Sequence, residues 1–127
     1  MTATDLATSS GWTPEALARG AVAQVDLDAF RANVARCAEA APGAELLAVV
    51  KADAYGHGLV PCARAALEAG ATWLGTALVD EAIALRDAGV GGRILTWLAV
   101  PGAWFAACVE RDIDVTVSAH WALDEVA

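Results

Sequence analysis

The sequence predicts an α/β fold in which parallel strands alternate with helices, and two observations support this prediction. Short apolar segments recur with a step of about 20 residues, each followed by a loop and an alanine-rich segment that closes on glycine. The apolar segments are hydrophobic at consecutive positions, which is typical of parallel strands covered on both faces. Right-handed βα units repeated in this way build either a doubly wound sheet or a (β/α)8 barrel.

Three elements are predicted before this repeat begins. A threonine-proline start and a glycine stop favour a short helix in GWTPEALARG, residues 11–20. The alternation of apolar and polar residues in AVAQVDL, residues 21–27, predicts a strand with one solvent-facing side. Asp28 is then expected to cap a helix over residues 29–41, which a Pro-Gly pair ends.

Four strands and four helices are predicted in the repeating part of the chain. The strands are LLAVVK (46–51), WLGTAL (73–78), RILTWL (93–98) and IDVTVS (113–118). The helices are PCARAALEA (61–69), DEAIALRDA (80–88), PGAWFAACVER (101–111) and SAHWALDEVA (118–127), the last with Ser118 as its cap. Both candidate folds place their chemistry at the carboxyl ends of the strands. Lys51 lies at such an end.

The composition narrows the range of partners. Hydrophobic residues make up 57% of the chain and the mean hydropathy is +0.48, so we expect part of the apolar surface to meet another segment or subunit. A net charge of −8 argues against nucleic acid or an anionic membrane as a partner. Cys37, Cys62 and Cys108 are odd in number and lack C-x-x-C spacing, which predicts buried thiols of a reducing compartment. With no apolar run of spanning length and no signal-peptide pattern, we expect a cytoplasmic protein.

The stretch LAVVKADAYGHG, residues 47–58, contains the candidate functional residues. Lys51 follows an apolar strand, where desolvation favours the neutral, nucleophilic amine that condenses with an aldehyde such as pyridoxal 5'-phosphate. The hydroxyl of Tyr55 can serve a phosphate oxygen or a proton transfer, and the two glycines allow a sharp turn close to a ligand. A surface lysine and a tyrosine at the rim of a pocket are the ordinary structural alternatives. Spacing alone leaves the choice open.

AVVKADAYGHG resembles the pyridoxal-phosphate attachment signature of the alanine racemase family. VDLDAFRANV resembles the opening strand and helix of that family, and ALEAGATWLGTALVDEAIALRDAGVGGRIL resembles its second and third βα units. The fold implied for residues 21–127 is the N-terminal portion of a (β/α)8 TIM-type barrel, truncated after about four strands. Residues 1–20 form an N-terminal extension outside the resemblance. AQVDL would belong to a separate C-terminal β-domain.

The resemblance also implies roles for individual residues. Lys51 would be the Schiff-base lysine, and Tyr55 would contact the cofactor phosphate. Trp97 stands where the family commonly has an aliphatic residue close to the pyridine ring, so that wall of the site would be bulkier here. Asp53 stands where the family often has asparagine, a change we expect to be tolerated. No metal site is expected.

The implied activity is the interconversion of L-alanine and D-alanine, which supplies D-alanine for peptidoglycan, by a homodimer with pyridoxal 5'-phosphate as its cofactor. Lys51 would be the base on one face of the substrate. The family takes the opposite base, a tyrosine, from the partner subunit, and it has an arginine at the pyridine nitrogen. Neither position falls within the 127 residues, so we expect the chain alone to be inactive. The alternatives are a serine or broad-specificity racemase, a decarboxylase, or a non-catalytic half-barrel that binds partners.

Overall fold

The computed structural model describes residues 23–127 together with Thr13 and Ala18, so most of the helix predicted at 11–20 lies outside the described residues. The strands are β1 (Leu47–Val49), β2 (Trp73–Thr76), β3 (Arg93–Thr96) and β4 (Ile113–Val115). The helices are α1 (Leu27–Ala40), α2 (Lys51–Gly56), α3 (Leu59–Glu68), α4 (Val79–Asp87), α5 (Phe105–Glu110) and α6 (His120–Val126). Strands and helices alternate as the sequence predicts.

The four strands form one parallel sheet in the order β1-β2-β3-β4. A right-handed crossover places its helix on a fixed side of the sheet, so crossovers between strands in sequential order all place their helices on the same side. A doubly wound sheet would require a reversal of the strand order, which would send helices to the other side. The order therefore selects the wall of a barrel from the two predicted folds.

The helices cover one face of this sheet. Leu74 of β2 and Ile94 of β3 are fully buried beneath them, with Ile113 of β4 nearly so. Thr76 and Thr96 are buried on the same face, and their hydroxyls donate to the carbonyl oxygens of the loop after β2. Alternation along each strand makes this face the core of the described chain.

The opposite face corresponds to the interior of a barrel. Val49 at the end of β1 is 39% exposed there. At the amino end, the guanidinium of Arg93 lies 3.7 Å from the ring centroid of Trp73 and pairs with Asp114 at 3.3 Å. The open face is thus charged at its amino end and apolar in its middle.

The prediction of a strand at residues 21–27 is wrong for residues 23–27, the part that the structure describes. Residues 23–26 have no regular structure, and α1 begins at Leu27. A strand requires a neighbour for its backbone groups, and the sheet formed by the described residues ends at β1 on this side. Asp26, rather than Asp28, caps the helix, because its Oδ1 accepts from the backbone N–H groups of Asp28 at 3.0 Å and Ala29 at 2.9 Å.

Three further predictions need correction. The strands are shorter than predicted, and Lys51 lies two residues beyond the end of β1 as the first residue of α2. Ser118 does not cap α6, since the N-cap position is Ala119 and it has no side-chain hydrogen bond. Cys37 is exposed, because α1 contacts the core through Leu27, Phe30 and Val34 instead.

Cys62 and Cys108 are buried as predicted, and burial raises the pKa of both thiols. Both side chains lie in helices that face the sheet, Cys62 in α3 and Cys108 in α5. Among the described residues, no helix has the length and apolar character needed to cross a membrane.

Candidate active site

The segment that follows β1 has an unusual backbone. Residues 52–55 have φ values between 52° and 57° and ψ values between 34° and 52°, so α2 contains one turn of left-handed helix. A left-handed helical conformation costs an L-residue roughly 1–2 kcal/mol, and none of these four residues is glycine. Such strain persists only where surrounding contacts impose it, and it is characteristic of functional sites.

Backbone and side-chain hydrogen bonds hold the left-handed turn at both ends. The N–H of Ala54 donates to the carbonyl of Val50 at 2.8 Å, and the N–H of Gly58 donates to the carbonyl of Asp53 at 2.9 Å. The carboxylate of Asp53 accepts from the N–H of Leu59 at 2.6 Å, in the first turn of α3. Asp53, expected only as a tolerated change, therefore anchors the turn to the following helix.

Glu81 connects the turn to the neighbouring loop. Its Oε1 accepts from the N–H of Ala52 at 2.5 Å. Its Oε2 accepts from the N–H groups of Ala77 and Leu78, both at 3.1 Å, in the loop between β2 and α4. One carboxylate thus joins the carboxyl ends of two adjacent strands. The sequence offers only a partial signal for this residue, because a glutamate near a helix start predicts a capping box but not a contact with a residue 29 positions away.

Lys51 and Tyr55 lie together at this edge of the sheet. The Nζ of Lys51 is 5.9 Å from the centroid of the Tyr55 ring, within the range of a cation–π contact. The Lys51 side chain is half-buried, and Tyr55 is 61% exposed. Lys51 is the only lysine of the chain, and none of the ion pairs formed within residues 23–127 involves it.

Trp97 follows β3 and belongs to the open face of the sheet. A Cβ atom added to Gly75 in β2 would lie 2.8 Å from the Trp97 ring and 2.6 Å from the Leu47 side chain in β1. The Trp97 ring and the Leu47 side chain therefore occupy the space where a Cβ atom of residue 75 would lie. Glycine is the residue that leaves this space to them. Parallel strands are about 4.8 Å apart, so the Trp97 ring reaches from the end of β3 across β2 toward β1 and forms an aromatic wall on the open face of the sheet.

These groups define what the site can do chemically. The amine can condense with a carbonyl, the phenol hydroxyl can donate to an anionic oxygen, and the aromatic wall can contact a planar ring. They suit a flat, anionic aldehyde. The described residues contain no group of three or more His, Cys, Asp or Glu that could hold a metal ion.

Comparison with known proteins identifies similar chains. A family model described as "Alanine racemase, N-terminal domain" matches residues 25–127. The alanine racemase of Beutenbergia cavernae is 62% identical over 104 residues, which cover 82% of this chain and 28% of that protein. The alanine racemase of Frankia casuarinae is 57% identical over 105 residues, with 83% and 27% covered. The chain thus spans less than a third of the length of these relatives.

Solved structures are similar in the same region. The crystal structure of alanine racemase from D-cycloserine-producing Streptomyces lavendulae is 61% identical, with a TM-score of 0.79, and the match covers 80% of this chain and 27% of that one. The alanine racemase from Bacillus anthracis, crystallised with bound L-Ala-P, is 45% identical with a TM-score of 0.75, and 80% and 26% are covered. The half-barrel of this chain therefore occurs within larger proteins.

Proposed function

The chain belongs to the alanine racemase family, and on this premise we propose that the protein interconverts L-alanine and D-alanine with pyridoxal 5'-phosphate attached to Lys51. One observation supports the assignment of the cofactor to Lys51 in particular. The only lysine of the chain follows β1, on a strained turn beside Tyr55. Active sites of barrels are built at this edge of the sheet.

The residues at this edge fit the cofactor. The amine of Lys51 would attach it covalently, the hydroxyl of Tyr55 would bind its phosphate, and Trp97 would lie near its ring. The cofactor, when bound, supplies an electron sink that makes the α-hydrogen of an attached amino acid acidic. Lys51, once its amine is free, would remove or return that proton on one face of the substrate.

The remaining parts of the proposal concern the whole protein. Racemisation needs a second base on the opposite face, and we propose that a homodimer supplies it through a tyrosine of the partner subunit, as in the family. We place residues 21–127 in the barrel domain and residues 1–20 in an extension. We also propose a cytoplasmic enzyme that supplies D-alanine for peptidoglycan. The three free cysteines support a reducing compartment.

The test measures racemisation of L-alanine by the intact protein with added cofactor. The loss of optical rotation reports the rate. We expect turnover by the wild type and a loss of at least about 100-fold in Lys51→Arg, because arginine keeps the charge but cannot act as nucleophile or base at neutral pH. Arg36→Lys is the matched control, since Arg36 is exposed on α1. Turnover of L-serine without turnover of L-alanine would favour the broader racemase alternative. Undiminished activity in Lys51→Arg would refute the assignment.

A further inference from the structure

We infer that Glu81 is a positioning residue, which fixes the backbone that carries Lys51. This inference rests on the proposed function of Lys51. Within residues 23–127, the Glu81 carboxylate has no hydrogen bond to the Lys51 amine or to the side chains of Tyr55 and Trp97. It acts through the peptide group that follows the lysine.

The carboxylate of Glu81 contacts more of the backbone than a helix cap requires. Its two carboxylate oxygens are divided between two loops, with Oε1 on the N–H of Ala52 and Oε2 on the N–H groups of Ala77 and Leu78. A glutamate that only capped α4 would need the second set alone. The bond to Ala52 is therefore additional to capping, and it joins the turn after β1 to the loop after β2.

The helix and the loop that carry the Glu81 contacts are anchored in the core. Glu81 lies in the first turn of α4, whose next residues Ala82 and Ile83 are buried in the core. The carbonyl of Ala77 accepts from the Thr96 hydroxyl at 3.2 Å and from a backbone N–H after β3 at 2.8 Å. A continuous series of contacts thus runs from β3 through Ala77 and Glu81 to the peptide that follows Lys51.

The position of Ala52 explains why this contact matters. Ala52 is the first of the four left-handed residues, and its N–H belongs to the peptide group that joins it to Lys51. Fixing that peptide group fixes the ψ angle of Lys51 and the φ angle of Ala52, and so the direction in which the Lys51 side chain leaves the backbone. A hydrogen bond to a carboxylate is roughly twice as strong as one between neutral groups, which suits it to hold a strained conformation.

The experiment compares three variants of the intact protein in the cofactor-free and cofactor-bound states. Glu81→Gln retains one oxygen acceptor but presents an amide NH2 group, which cannot accept, on the other side. Glu81→Asp keeps the charge but is one methylene too short to span both loops. Asp80→Asn is the matched control, because it removes a charge from the same helical turn, and the Asp80 carboxylate accepts from the N–H of Glu81 and not from Ala52.

Two quantities are measured: hydrogen exchange of the amides in residues 51–58 and of Ala77 and Leu78 without cofactor, and the dissociation constant of pyridoxal 5'-phosphate. For Glu81→Gln we expect exchange at Ala52 to be about 10-fold faster and the dissociation constant to rise about 10- to 100-fold. Asp80→Asn should match the wild type in both. If Glu81→Gln does not fold, Glu81→Asp carries the comparison, with faster exchange at Ala52 expected.

Two outcomes would overturn the inference. Unchanged exchange at Ala52 in both Glu81→Gln and Glu81→Asp, with faster exchange at Ala77 and Leu78, would mean that Glu81 only caps α4. Exchange and cofactor affinity equal to those of Asp80→Asn would mean that the bond to Ala52 has no role. A wild type that binds no cofactor would instead refute the proposed function, and the positioning role with it, whereas normal binding by the wild type confines any failure to Glu81.

Discussion

The carboxyl edge and the amino edge of the sheet are both held by charged side chains of α4, but in opposite ways. At the carboxyl edge, the Glu81 carboxylate accepts from backbone N–H groups of two loops. At the amino edge, the Arg86 guanidinium donates to four carbonyl oxygens of the loops that lead into β3 and β4, at 2.8–3.0 Å. These belong to Val90, Gly92, Arg111 and Asp112.

The backbone differs between the two edges as well. The loops at the amino edge turn on glycines such as Gly89 and Gly92, which adopt positive φ without strain, although Asp112 also has a positive φ. At the carboxyl edge, four consecutive non-glycine residues are left-handed. The amino edge therefore contributes stability, while the carboxyl edge keeps a strained conformation beside the candidate catalytic lysine.

The largest expected effect at the amino edge is on stability. Arg86→Met leaves four carbonyl groups without their charged donor, and we expect it to lower the free energy of unfolding by about 2–3 kcal/mol. Arg64→Met is the matched control, because Arg64 donates to a single carbonyl, that of Ala88. Urea unfolding measures both variants in the intact protein, with cofactor affinity measured on the folded fraction.

A stability loss in Arg86→Met without a change in cofactor affinity would show that the amino edge serves stability and the carboxyl edge serves binding. Equal stability of the Arg86 and Arg64 variants would contradict the stabilising role of the amino edge, since the four hydrogen bonds of Arg86 would then contribute no more than the single one of Arg64.

The next effect belongs to the carboxyl edge. Tyr55→Phe removes the hydroxyl that we propose binds the cofactor phosphate. Because a hydrogen bond to a charged group is lost, we expect cofactor binding to weaken by about 10- to 100-fold. The melting temperature should stay close to that of the wild type. Trp104→Phe, a change at another exposed aromatic residue, is the control. Unchanged cofactor affinity in Tyr55→Phe would remove the phosphate-binding role.

The smallest effect is expected between the two edges, at Gly75. Gly75→Ala introduces a Cβ that must displace the Trp97 ring and the Leu47 side chain, and overpacking of this kind costs about 1 kcal/mol or slightly more. Trp97→Leu should restore part of the lost stability in the double variant. A double-mutant cycle by thermal unfolding checks this. Purely additive effects would show that Trp97 does not lie over Gly75.

Much of the fold could be predicted from the sequence, because the apolar strands and glycine-terminated helices are local patterns. The parallel α/β architecture and the family are confirmed. The sequence predicts Asp28 as the cap of α1, whereas the structure has Asp26, since either carboxylate can cap and only the backbone geometry decides between them. The strand at 21–27 was wrong within its described part because alternation alone does not provide a neighbouring strand.

The candidate site could be predicted only in part. Lys51 and Tyr55 could be identified from their spacing and the resemblance, and their roles toward the cofactor, like that of Trp97, stay predictions. The left-handed turn could not be predicted, because alanine and tyrosine disfavour that conformation, and aspartate adopts it only as a single residue and not in a run of four. The contact of Glu81 with Ala52 could not be predicted, because the two residues are 29 positions apart in the sequence. They meet only because β1 and β2 are adjacent in the sheet.

Chemical labelling of the intact protein tests most directly whether Lys51 carries the cofactor. Pyridoxal 5'-phosphate is added, the protein is reduced with borohydride, and tryptic peptides are mapped. Because trypsin does not cleave after a modified lysine, label on Lys51 predicts one labelled peptide that runs from Cys37 to Arg64 with Lys51 uncleaved. We expect stoichiometric label on that peptide. Recovery of Lys51 unlabelled and cleaved normally, as separate peptides that end at Lys51 and begin at Ala52, would contradict it.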